Sequence, residues 1–119
     1  MAVIHVNGVL KARKHEKSAS LTASTGFTST NYDVTNVVGS NYFKTVYAEE
    51  VVVTIESNDV RWTVDGTTPT VTAGTALGHL ASAGDVLTIT GYENIKNFSA
   101  INAVAGSAAT FRATFFFRQ

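Results

Sequence analysis

A chain of 119 residues with nine basic and nine acidic side chains fits one domain, and its zero net charge gives no global field to draw it to nucleic acid or anionic lipid. Without cysteine it has neither a disulfide framework nor a thiolate metal site, a pattern that favours cytosolic synthesis over secretion. Charged residues are 15% of the chain against the usual ~25%, which suggests that part of the surface is covered by other protein.

The first residues, MAVIHVNGVLKARK, lack a basic segment followed by an apolar one, so no signal peptide is expected. No apolar run approaches the ~20 residues that would cross a bilayer. Asn7-Gly8 lies between VIHV and VLKARK, and this dipeptide predicts a hairpin turn because both residues tolerate positive φ. Residues 1–17 therefore read as a hairpin, or as an extended arm that orders on a partner. Residues 11–17, KARKHEK, hold four of the nine basic side chains. They form either a solvated strand end or a patch that grips an acidic surface; no aromatic residues interleave to stack bases.

Ser18 to Asn36 holds nine Ser or Thr residues. This composition suits a polar edge strand or a loop. One or two short strands are expected, then a long exposed loop over 26–41, a candidate contact surface carrying Phe27 and Tyr32. From Tyr42 the pattern alternates. Val51, Val53 and Ile55 share one face, and after a Ser57-Asn58-Asp59 turn Val60, Trp62 and Val64 continue it. The two runs read as a β-hairpin. The turn Asp65-Gly66-Thr67-Thr68-Pro69-Thr70 follows, and Thr70 to Leu80 is expected to cross to the next strand. Gly84-Asp85 opens a strand that buries Leu87 and Ile89. Ile95 and Phe98 share a face of one short helical turn. Phe98–Val104 and Thr110–Phe117 are strands about an Ala105-Gly106-Ser107 turn, the last with Phe111, Ala113, Phe115 and Phe117 inward. Seven or eight short strands without a long helix predict an all-β, single-domain antiparallel sandwich or small jelly roll.

Catalytic chemistry finds little purchase. His5, His15 and His79 lack ligand spacing, and no G-x-S-x-G elbow is present. Asp33, Asp59, Asp65 and Asp85 fall in or beside turns, where Asp receives backbone N–H groups. No calcium loop of the D-x-D-x-D-G type occurs. Trp62 could stack a sugar, but its phase with Val60 and Val64 favours the core. We expect no cofactor, no metal and no enzymatic activity.

The run from Arg61-Trp62 through Asp65-Gly66-Thr67-Thr68-Pro69-Thr70, Gly78-His79-Leu80, Gly84-Asp85 and Ile95-Lys96-Asn97-Phe98-Ser99-Ala100-Ile101, with the closing ATFRATFFFR, resembles small β-sandwich structural proteins of tailed bacteriophages. The resemblance covers about the C-terminal half of the chain. It implies a virion component made in the host cytoplasm and carried on the capsid surface, a decoration or cement protein. Its partners would be the major capsid protein and its own copies, as a homotrimer or homodimer, with no nucleic acid or membrane. A tail or baseplate component, or a carbohydrate-binding module using Trp62 or Tyr32, Tyr42 and Tyr47, is the alternative. Candidate oligomer or capsid contacts are Lys11, Arg13, Lys14, Phe27, Tyr32, Arg112, Phe116 and Arg118. Among them Phe116 beside Arg112 and Arg118 has the aromatic-and-arginine composition enriched in interface cores.

Overall fold

The computed structural model describes residues 9–35 and 45–118. The Asn7-Gly8 turn and the start of the alternating run at Tyr42 and Phe43 lie outside the described residues. Nine strands and two helical turns follow in order: β1 (Leu10–Lys17), β2 (Thr25–Gly26), α1 (Ser29–Tyr32), β3 (Asp33–Thr35), β4 (Thr45–Ser57), β5 (Val60–Thr63), β6 (His79–Ala81), β7 (Val86–Thr90), α2 (Tyr92–Lys96), β8 (Ser99–Asn102) and β9 (Thr110–Arg118). They form two antiparallel sheets, as the sandwich reading predicts. One runs β1-β9-β4-β3 with β7 also paired to β4, and the other runs β2-β8-β5-β6.

The alternation in β4 and β9 decides which side of the first sheet is buried. Val51 pairs with Phe115, Val53 with Ala113 and Ile55 with Phe111. All six side chains are buried, so the two central strands turn one continuous apolar face toward the second sheet. That sheet answers with Val60, Ala81 and Ala100, and the short helical turn α2 brings Ile95 and then Phe98 beneath it. Ile95 and Phe98 thus share a face as their spacing predicts.

Two connections differ from the sequence reading. β4 and β5 are not a hairpin. The Asn58-Asp59 bend carries the chain from one sheet to the other, where β5 pairs with β6 and β8. Asn58 takes a left-handed conformation, φ 58°, which an Asn side chain tolerates. Its Nδ2 donates to Ala108 O at 2.7 Å, and Ala103 N donates to Asp59 O at 2.8 Å, fixing the arch to both neighbours. Both edges of β4 are already taken, by β9 and by β7, so no edge remains for a hairpin partner. Conversely, Thr70 to Leu80 does not cross. The chain from Val64 to Gly78 is a wide loop that returns β6 antiparallel against β5, pinned by Thr70 N donating to Leu77 O at 3.1 Å. A period of two reports which face is buried, not which strand lies alongside, and both misreadings have that cause.

The Ser/Thr-rich stretch is also more structured than a loop. Leu21 is buried and bridges to Ala109, β2 joins the second sheet beside β8, and α1 leads directly into β3.

Candidate interaction surfaces

Strand β1 lies at one end of the first sheet, paired on one side to β9. Lys11, Arg13 and Lys17 are exposed along it. The pairing register slips between Ala12 and Lys14, so Arg13 is the extra residue of a bulge and has no cross-strand partner. Bulges bend an edge and re-aim a side chain, and charges on an edge discourage indiscriminate strand pairing. No ion pair among the described residues joins Lys11, Arg13, Lys14 or Lys17 to a carboxylate.

Lys14 and Glu16 oppose Phe115 and Ala113, which places them on the core side of the strand. They end against α1, where Lys14 Nζ donates to Thr30 O and Asn31 Nδ2 donates to Glu16. Burial raises the Glu16 carboxyl above its ordinary 4.5, against the opposing pull of Asn31, His15 and Lys14. A carboxyl raised in the folded state adds stability below its ordinary value and loses it as pH climbs through the raised one. Gln at this position keeps an acceptor for Asn31 and cannot ionise. Glu16→Gln is therefore expected to melt higher than the parent at pH 7, with the difference vanishing below about pH 4. Melting curves across that range check it; a gap that widens on acidification contradicts the assignment.

Arg112 and Arg118 project from the outer face of β9 and are held to β4. Arg112 pairs with Glu56, and Arg118 donates to Glu49 Oε1 through Nη2 at 2.9 Å and Nε at 3.2 Å. Such exposed pairs contribute about 0–1 kcal/mol each. Phe116 alternates with them but is only 7% exposed, between Ala12 of β1 and Glu50 of β4 in the register. It is not the exposed interface aromatic that its neighbours suggested.

Phe27 is likewise withdrawn from the surface. Its ring stacks on Phe98 at 4.8 Å and meets Phe115 at 4.8 Å and Phe111 at 5.9 Å edge-on. Its polar sequence neighbours hid it, because an aromatic inserted from a loop carries no periodic signature.

Tyr32 packs partly against the core and belongs to a cluster that no local spacing reveals. Tyr92, the first residue of α2, lies 5.8 Å from the Tyr32 ring and 4.3 Å from Tyr47 on β4. Asp33 stands opposite Tyr47 in the β3–β4 register, and its Oδ1 is shielded from solvent without a hydrogen-bond partner. This carboxylate is not the turn cap its sequence position suggested. Asp59, Asp65 and Asp85 do accept from backbone N–H groups, of Ala83, Thr67 and Ser82. Desolvation raises the Tyr92 hydroxyl, and Asp33, Tyr32, Tyr47 and Glu93 raise it further. Asp33 and Glu93 are the charged groups acting on this ring, and Tyr47 is 45% exposed.

Trp62 lies half-buried against the core with the His79 ring 4.9 Å away. Among the described residues no group of three His, Asp or Glu side chains is placed to hold a metal, and no helix is long and apolar enough to cross a membrane. Two surfaces of opposite character therefore stand out, the basic bulged strand β1 and the tyrosine–carboxylate cluster at β3, β4 and α2. Compared with known proteins, the chain matches no family model, no curated protein and no solved structure.

Proposed function

We propose that this chain is a structural protein of a tailed-bacteriophage virion, a decoration or cement protein that binds neighbouring major capsid subunits and bridges them in the expanded head. The observation that carries this reading is the Arg61–Ile101 pattern together with the unit it builds. Its segments supply β5, the β6 that returns beside it, the opening of β7, and the β8 that flanks β5 on the other side. A single sandwich with a continuous apolar interior is a stiff support, and β1 carries three exposed basic side chains, Lys11, Arg13 and Lys17, at one end of a sheet.

Such a protein works by holding, not by chemistry. A ligand that binds the expanded shell and not its ruptured fragments stabilises that shell by mass action, and many copies multiply a modest individual affinity. The test is co-sedimentation with empty expanded heads assembled from the major capsid protein of the same phage. Saturable binding, and heads that survive higher temperature when occupied, are expected. A chain that stays in the supernatant at every concentration overturns the reading, and labelling confined to tails of intact particles replaces it with a tail role.

A further inference from the structure

The two surfaces complement each other. One presents Arg13 on a bulge, with Lys11 and Lys17 exposed on the same strand. The other gathers three tyrosine rings beside Asp33 and Glu93, neither of which is in an ion pair among the described residues. A guanidinium is suited to such a place. Its plane stacks on an aromatic face, where the ring quadrupole attracts it, while its N–H groups reach a carboxylate. The Tyr47 ring is exposed and stands across from Asp33 in the strand register. Within one copy β1 and β3 are at opposite ends of the strand order β1-β9-β4-β3, and β1 reaches the patch side only through Lys14 and Glu16, which bind Thr30 and Asn31 of α1.

We propose that copies of this chain associate through these unlike surfaces, with Arg13 of one copy stacked on the Tyr47–Tyr92 rings of the next and its charge received by the exposed Glu93. Lys11 and Lys17 lie on opposite faces of the strand, opposite Phe117 and Arg112, so Arg13 carries the contact. Lys96 lies one turn beyond Glu93 on α2 and Lys44 lies three residues before Tyr47 in the sequence. A contact between unlike surfaces repeats from copy to copy, and it closes into a ring when the rotation allows. This deepens the reading of the chain as one that acts by binding, but its test needs no capsid, so the two fail separately.

The experiment is sedimentation velocity on the purified chain. At low salt the expected mass is a whole multiple of 12.6 kDa. Toward 1 M salt, where the screening length falls to about 3 Å, the species is expected to dissociate. Arg13→Glu places like charges together and is expected to weaken association on the order of 100-fold or more, leaving a monomer. Glu93→Arg is expected to do the same alone. The double variant Arg13→Glu with Glu93→Arg restores the charge pair and is expected to recover the oligomer. Both positions are exposed, and a far-UV spectrum identical to the parent's verifies that each variant folds. A wild-type monomer at low salt, an oligomer that survives Arg13→Glu, or a double variant that stays monomeric each overturns the proposal.

Discussion

Phe27→Ala is expected to destabilise the fold by about 3–5 kcal/mol, the range for truncating a buried phenylalanine. The residue is 8% exposed and touches three other rings, Phe98, Phe111 and Phe115, which come from β9 and from the segment after α2. Deleting it removes its own transfer term and opens a cavity that three rigid neighbours close poorly. Domains of this size are stable by about 5–15 kcal/mol in total, so the variant retains a cooperative transition at a much lower denaturant midpoint. Urea unfolding followed by far-UV signal measures it. The outcome separates two roles for the residue. A surface contact truncated to Ala changes stability by less than about 0.5 kcal/mol and affects binding alone. A loss that small would remove Phe27 from the core.

The same residue shows where sequence legibility ends. Phe111, Ala113, Phe115 and Phe117 fall at every second position, and Val51, Val53 and Ile55 do likewise, so their burial follows from the pleat and the structure agrees. Ile95 and Phe98 follow equally from helical spacing. Phe27 has no periodic companion; it enters the core from a Ser/Thr-rich stretch, and only the tertiary arrangement places three rings around it. Pairing is lost for a related reason. Val60 faces the core whether β5 lies beside β4 or across from it, and the arch at Asn58 is decided by which edges of β4 are free. The tyrosine cluster was the least legible feature. Tyr32, Tyr47 and Tyr92 are separated by one strand junction and one whole sheet-to-sheet excursion, and Tyr92 carries no signal before α2 is packed beside β4. Basic β1, by contrast, is plain in KARKHEK; what the sequence withholds is the bulge that singles out Arg13.

Gly78→Ala is expected to be the second strongly destabilising change, and comparison with Gly84→Ala divides its effect into two parts. Both glycines hold φ in the left-handed half of the map, at 111° and 93°. An L-alanine held at such an angle carries a conformational penalty of about 1–3 kcal/mol. At Gly84 that is the whole expected loss, since an added Cβ meets nothing within 4 Å. At Gly78 the same atom comes 3.1 Å from Trp62 O, 3.2 Å from Trp62 N and 3.3 Å from Arg61 Cβ. These are backbone atoms of β5 or the root of its side chain, and they cannot swing away. Yielding means shifting β6 from β5 just where His79 lies beside Trp62 and Arg61 Nη1 donates to Gly78 O at 3.1 Å. Gly78→Ala is thus expected to lose more stability than Gly84→Ala by on the order of 1 kcal/mol or more, comparable to a broken hydrogen bond. It should also move the tryptophan emission toward longer wavelength as Trp62 loses cover, a change that Gly84→Ala leaves absent. Equal losses at the two positions would mean that β6 does not lie against β5 as closely as Gly78 places it.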